Sequence, residues 1–376
     1  MKFLHTSDWH LGASDGNRSL VDDQKFFIDD ICRIIEENVV EAVLIAGDVY
    51  DRSVSSAEAI KLFDYAMSRF CLEKKLPVLI IAGNHDSAER LSTCRELLSG
   101  AGLHIVGDLG SEPVIVPLGD TDFYFLPWIT EEKVKARFPD RKDSIRSLED
   151  AYRVVTDSMR ATFTEGRRHV LLSHSYIADS VTSTSDRAAV IGHAAQVSAE
   201  VFNGFDYVAL GHLHGPQDIN SFIRYSGTPM PYSYGAEEEQ VKSVTIVDTA
   251  DMSRTTCELG LLHGRATLTG TLAELLSDET PEELRNAYVN INITDEHVNS
   301  FILSQLFELY PYMTDCHGKT FEDVEGGTQM SIEEFEALEN DPAAIFRRYC
   351  SEVMGMQDIG ENLVALFTGA VEEVGR

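Results

Sequence analysis

Ala42-Val43-Leu44-Ile45-Ala46-Gly47-Asp48-Val49-Tyr50-Asp51 is the stretch that decides the fold class. Its apolar run is short, aliphatic and closed by Gly-Asp, so it reads as a buried strand ending in a turn. The same pattern occurs four more times. Lys2-Phe3-Leu4-His5-Thr6 leads into Ser7-Asp8-Trp9-His10, and Pro77-Val78-Leu79-Ile80-Ile81-Ala82 leads into Gly83-Asn84-His85-Asp86. His169-Val170-Leu171-Leu172 precedes Ser173-His174-Ser175, and Asp206-Tyr207-Val208-Ala209-Leu210 precedes Gly211-His212-Leu213-His214. Helical patterns fill the early gaps. Phe26, Phe27, Ile31, Ile34 and Ile35 form one stripe in 22–38, and Ile60, Phe63, Met67 and Phe70 form another in 56–70. Strand, helix and strand in this rhythm predict βαβ units and an α/β domain.

Seven residues with metal-ligating side chains follow these strands: Asp8, His10, Asp48, Asn84, His174, His212 and His214. An α/β domain gathers the C-terminal ends of distant strands in one place. Carboxylate, amide and imidazole groups collected there predict a two-metal hydrolytic centre. Residues i and i+2 of an extended segment point the same way, so Asp8 with His10, and His212 with His214, can face a common ion. Gly47, Gly83 and Gly211 each precede a ligand and permit a tight turn with close backbone approach. Taken singly, each cluster has an ordinary explanation. Asp48 could be a cap, and Asn84-His85-Asp86 a polar turn. That explanation must be invoked five times at the same topological place, and joint matches multiply. His5, His104, His263, His297 and His317 lack such a setting and read as surface or core residues, while His193, in a Gly-flanked loop, stays open.

The chain has 376 residues, enough for two domains, and its hydrophobic content of 43% supports a substantial core. No stretch approaches the roughly 20 apolar residues that span a bilayer, so no membrane partner is expected. The N-terminus opens on a strand and a ligand pair, so no cleavable signal segment is expected. Six cysteines (32, 71, 94, 257, 316 and 350) lack metal-site spacing and read as reduced thiols of a cytoplasmic protein. The formal net charge of −31, from 62 acidic against 31 basic residues, opposes nucleic-acid binding by the bare surface. Metal ions add local positive charge outside that sum. Part of the acidity is also remote, since residues 321–376 carry 13 acidic against 3 basic residues.

In order, Asp-x-His at 8–10, Gly-Asp-x-x-Asp at 47–51, Gly-Asn-His-Asp at 83–86, a lone His174 and Gly-His-x-His at 211–214 resemble the calcineurin-like metallophosphoesterases. Within that superfamily, longer stretches are similar to the SbcD family, the nuclease subunits of SbcCD complexes. They are His5-Thr6-Ser7-Asp8-Trp9-His10-Leu11-Gly12, the segments 46–52 and 206–217, Tyr225-Ser226-Gly227-Thr228-Pro229 and Lys242-Ser243. The resemblance is strong over roughly the first 250 residues and traceable to the end. Three places depart from the family pattern. Gly192-His193 stands where paired glycines are usual, Tyr232-Ser233-Tyr234-Gly235 differs at its last two positions, and Leu306-Phe307 replaces a common arginine before Tyr310-Pro311. None is a ligand position.

The resemblance implies a β-sandwich flanked by helices (1–261), a small α+β capping domain (262–325) and a C-terminal helical partner-binding segment (326–376). It implies that Asp8, His10, Asp48 and His214 hold one ion and that Asp48, Asn84, His174 and His212 hold the other. Asp48 would bridge, having lone pairs for two ions. Two divalent ions are expected, Mn²⁺ preferred and Mg²⁺ possible, given the many imidazoles. His85 is left for catalysis at the scissile phosphate or leaving oxygen, with Asp86 behind it to orient the ring. Trp9 reads as packing and Arg52 as an ion pair at the turn.

Residues 175–197 read as a polar loop near the site. Beyond residue 262 the sequence predicts structured segments at 268–276 and 288–293 and a helix over 295–309, then helices over 332–338, 342–353 and 359–374. By resemblance the C-terminal end binds an SbcC-type ATPase, with packing on the chain's own core as the alternative. Helices at 56–70 and 88–98 could pair with a second copy as a homodimer contact. His317-Gly318-Lys319-Thr320 echoes the end of a P-loop, but Met313 stands where its first glycine belongs, so ATP dependence must come from a partner. The implied activity is that of a DNA nuclease, a double-strand exonuclease and single-strand endonuclease in end processing, repair, recombination and replication. The alternatives are a stand-alone metallophosphatase or small-molecule phosphodiesterase, and a non-catalytic scaffold subunit.

Overall fold

Leu4, Val43, Ile45, Val78 and Ile80 pack into one buried cluster, while their strand neighbours Phe3, Ala42, Leu44, Leu79 and Ile81 pack into another. Successive side chains of a strand point to opposite faces, so these strands are buried on both sides. That is why the runs are continuously apolar instead of alternating. The computed structural model describes residues 1–16, 18–178, 180–182, 196–277, 279–319, 342–352 and 359–374.

One six-stranded sheet runs in the order Ser253–Glu258, Ser243–Asp248, Lys2–Thr6, Ala42–Ala46, Val78–Ile81 and Leu103–Val106. From Lys2–Thr6 onward its strands are parallel, with Phe3 opposite Ala42 and Val43 opposite Val78. The second sheet runs Gln217–Asp218, Ile223–Tyr225, Tyr207–Gly211, Arg168–His174, Thr121–Leu126 and Ile115–Leu118. Its four central strands are parallel, and the register sets Gly211 opposite His174.

Between the sheets lies an apolar layer that includes Phe3, Leu44, Phe123, Phe125, Leu172, Tyr207 and Val247. Phe3 meets Phe123 edge to face at 5.5 Å. His5 joins the sheets through this layer, its Nδ1 3.0 Å from the Tyr207 hydroxyl and its Nε2 3.1 Å from the Leu210 carbonyl. Burial pushes its pKa down to about 3, so the ring is neutral at pH 7. Helices Val21–Asn38 and Ala57–Met67 cover the outer face of the first sheet, and Leu148–Arg160 covers that of the second. The result is a β-sandwich flanked by helices.

Several elements differ from the sequence expectation. The helix expected over 88–98 is two short helices, Ala88–Leu91 and Arg95–Ser99, separated by Cys94 at φ +60°. The helix expected from 295 begins at Ser300, after Asn299 caps the amides of Phe301 and Ile302. The 268–276 segment is the end of the strand Arg265–Gly270 and the short helix Leu272–Leu275. Residues 313–317, where a P-loop would begin, form a strand. The helix expected over 332–338 and His193 lie outside the described residues.

The chain divides into two compact units that interleave along the sequence, not at single cuts. The first comprises Met1–Leu268, Leu276–Ile291 and Ser304–Asp315; the second comprises Thr269–Leu275, Asn292–Leu303 and Cys316–Arg376. In the second, helices Pro342–Glu352 and Glu361–Val374 meet through stacked rings of Phe346 and Phe367, 4.3 Å apart. No helix among the described residues is long and apolar enough to cross a membrane.

Candidate metal centre

The loops after the first two parallel strands are stitched together by their main chains. The amides of Asp8, His10 and Leu11 donate to the carbonyls of Gly47, Asp48 and Val49 at 3.0, 3.0 and 2.9 Å. This stitching holds Asp8, His10 and Asp48 at φ +53°, +44° and +48°, and His212 lies at +106°. Non-glycine residues pay about 1–3 kcal/mol for such conformations, which concentrate at functional sites. Asp8 and His10 therefore do not face one way as alternate residues of an extended segment, contrary to the sequence expectation. The strand ends at Thr6, and the two side chains converge because both residues are left-handed.

The structure brings all seven expected residues together. Donor atoms of Asp8, His10 and Asp48 lie within 4.8 Å of one another. His174 Nε2 is 3.4 Å from Asp48 Oδ2 and 3.0 Å from Asn84 Oδ1, and His212 Nδ1 is 3.0 Å from the same Asn84 oxygen. The His214 ring is 5.3 Å from that of His10. Asp8, His10, Asp48, His174 and His212 are buried, whereas Asn84 is exposed and gives the cluster an open side. The glycines explain the approach. A Cβ on Gly47, which has φ +91°, would fall 2.4 Å from His174 Nδ1, and one on Gly83 would fall 2.1 Å from Asp48 Oδ1.

His10 supplies a direct test of whether the pocket suits a cation. It is 5% exposed, and neither ring nitrogen has a hydrogen-bond partner among the described residues. Burial drives its pKa down to about 3, so it offers a neutral lone pair. Asp8 is raised to about 6 by burial, with the neighbouring Asp48 adding to the shift. Burial also works against charge on Asp48 and His174, but each stabilises the other's ionised form. Asp48 stays well below the usual carboxylate range, and His174 rises to about 9. Buried carboxylates, the neutral ring of His10 and an amide oxygen fit divalent transition-metal ions.

His85 borders this cluster. Its amide donates to Asp48 Oδ1 at 2.8 Å, and its ring lies 4.9 Å from that of His10. Asp51, not Asp86, holds the ring: Nδ1 is 2.9 Å from the Asp51 carbonyl oxygen. Asp86 instead accepts the amides of Val49, Tyr50 and Gly83 at 3.1, 2.9 and 2.9 Å. It ties the Gly47 and Gly83 turns together. Trp9 is fully buried against Phe27 and Phe70, and Arg52 is an exposed partner of Asp51.

Sequence reasoning misses the supports. Trp128 stacks on His212 at 5.4 Å and meets His174 edge-on. It follows the strand Thr121–Leu126, an apolar run that no ligand follows, so nothing marks it. Gln24 donates to the His10 carbonyl at 2.8 Å and to the Tyr232 hydroxyl at 3.2 Å. Glu237 accepts from His214 Nδ1 at 3.0 Å, yet it sits in a run of three glutamates with nothing to set it apart. The departures at 234 and 235 have local reasons: the Tyr234 hydroxyl bonds Asp15 and Thr314, and Gly235 has φ +81°.

Residues 1–216 match the family model for calcineurin-like phosphoesterases. The chain is 30% identical to the SbcD component of the SbcCD nuclease from Staphylococcus epidermidis, with 88% of this chain and 89% of that protein covered. It is 28% identical to the corresponding component from Staphylococcus saprophyticus, over 94% of each. A solved dimetal phosphatase from Danio rerio aligns with 69% of this chain and 96% of its own at 14% identity and a TM-score of 0.43. The chain belongs to the calcineurin-like phosphoesterases and, within them, to the SbcD family of metal-dependent nuclease subunits.

Proposed function

We propose that this chain cleaves DNA phosphodiesters as a double-strand exonuclease and single-strand endonuclease, with two divalent ions, Mn²⁺ preferred. One ion would be held by Asp8, His10, Asp48 and His214, the other by Asp48, Asn84, His174 and His212. The observation that carries the reading is buried His10, with two unpartnered nitrogens among carboxylates. Such ions, when bound, lower the pKa of a water nucleophile and neutralise charge on the scissile phosphate.

The chain's own residues do the rest. Asp48 lies where both ligand groups meet, so its carboxylate sets the spacing. The left-handed loops aim Asp8 and His10 inward before any ligand arrives, which reduces reorganisation on binding. His85, with Nδ1 turned to the Asp51 carbonyl, keeps Nε2 for the phosphate or the leaving oxygen. Asp86 supports it indirectly, by fixing the turn that carries it.

An SbcC-type ATPase is the proposed partner, bound through the C-terminal helices, where Ile345, Tyr349 and Leu366 are exposed. It would supply both ATP dependence and the basic surface that a net charge of −31 withholds. A homodimer contact is proposed on the segments 56–70 and 88–98, where Leu97 is 79% exposed, while Met67 and Leu91 are buried in the chain's own core. All six cysteines are free, which suits a reducing cytoplasm; roles in DNA repair, recombination and replication are proposed from the family resemblance alone. The acidic charge is also the observation that favours the second reading, a stand-alone phosphatase or small phosphodiesterase. Assays on linear duplex DNA and on a p-nitrophenyl phosphodiester, with and without Mn²⁺ and the ATPase, separate the two. Mn²⁺-dependent degradation of the duplex is expected. Turnover of the small ester with none of DNA, even beside the ATPase, rejects the first reading.

A further inference from the structure

We infer that Glu237, balanced in charge by Lys242, is the positioning residue that fixes the His214 ring for its ion. This rests on the two-ion reading above and concerns only one of the two sites. His214 lies three residues past the end of the strand Tyr207–Gly211, where the sheet no longer dictates its direction. Glu237 Oε1 takes the ring at Nδ1, 3.0 Å away, and also accepts the Ser233 hydroxyl at 2.6 Å. Its other oxygen receives Lys242 Nζ at 2.8 Å and the Tyr232 amide at 3.2 Å. Lys242 Nζ in turn donates to Thr228 Oγ1 at 2.8 Å, Gln240 Oε1 at 3.1 Å and the main-chain carbonyl of His214 at 3.3 Å. One buried ion pair thus grips His214 at both ends, ring and backbone.

Both side chains of the pair are fully buried. Removing two charges from water is costly, and an apolar pair of similar volume would hold the loop about as well. Geometry at His214 is what the charged pair adds. A carboxylate at Nδ1 selects the tautomer with the proton there, leaving the Nε2 lone pair for a cation, and it strengthens that donor. His174 has only the neutral Ala46 carbonyl at its Nδ1, 2.8 Å away. The Nδ1 anchor of His214 is therefore a replaceable side chain, where that of His174 is main chain.

The test is calorimetric titration of the full chain with Mn²⁺, joined to electron paramagnetic resonance of the bound ions and melting of the metal-free protein. Glu237→Asp keeps the charge beside Lys242 but draws the carboxylate back by one methylene. Glu237→Gln with Lys242→Met removes both charges together. The expected result is two ions in the parent chain and, in both variants, one ion weakened about 10–100-fold. The spin-coupled pair signal should fade at matched Mn²⁺, with metal-free melting close to the parent's. Two ions bound at parental affinity in either variant overturn the inference, as does equal weakening of both ions or loss of cooperative melting in both. A parent chain that fails to bind two ions defeats the two-ion reading itself, a different and separately visible failure.

Discussion

The strand-end half of the centre and the segment from Thr228 to Lys242 hold their histidines by opposite means. His174 sits within a strand, wholly buried, with Nδ1 on the Ala46 carbonyl of the facing sheet. No side chain can be removed to free it. His214 lies beyond its strand and is fixed by Glu237 and Lys242, both replaceable. The main-chain anchor is rigid and uncharged; the carboxylate anchor sets a charge against the ring and costs a buried ion pair to maintain. A strand-end ligand is therefore vulnerable to crowding, and a loop ligand to loss of charge.

The largest effect expected separates catalysis from both anchors. His85→Ala should leave Mn²⁺ stoichiometry intact while nuclease turnover falls about 10²–10⁴-fold, the range for a lost acid or base. Full activity in a Mn²⁺ assay would remove His85 from the chemistry. Crowding the rigid half comes next. Gly47→Ala forces φ +91° on a residue with a Cβ and drives it toward His174. A loss of about 1–3 kcal/mol in unfolding free energy is expected, with the His174 side of the centre weakened and the Glu237 side spared. An unchanged denaturation midpoint would show that the turn relaxes freely. The smallest effect is at the stacked wall: Trp128→Ala should weaken one Mn²⁺ by about 2–10-fold, the worth of one ring contact. No change in either Mn²⁺ affinity would reduce Trp128 to packing.

The strand-end half is legible in the sequence because burial on both sheet faces leaves an unbroken apolar run, and the polar residues after it stand out. Ala42–Ala46, Val78–Ile81 and Tyr207–Gly211 all carry that mark. Why Asp8 and His10 converge is not legible, since left-handed φ values arise from hydrogen bonds to a loop some 40 residues away along the chain. The other half is nearly silent. Glu237 looks like Glu238 and Glu239, and only the fold decides which of them is buried. Adjacency in sequence assigns Asp86 to His85, the wrong neighbour, whereas the turn geometry directs its carboxylate toward three amides.

His5, bridging the sheets at Tyr207 and Leu210, has a consequence for the chain as it is being made. The proposed ligands run from residue 8 to residue 214, and the support for the last of them reaches 242. Pairing over such separations is slow and comes late in folding. Until the second sheet has emerged and closed on the first, Asp8, His10 and Asp48 lack His174, His212 and His214. A chain stalled on the ribosome, or clipped before residue 207, would lack His212 and His214, one from each of the two proposed ligand sets. A nuclease subunit is thereby kept inactive until about two thirds of its chain has been made.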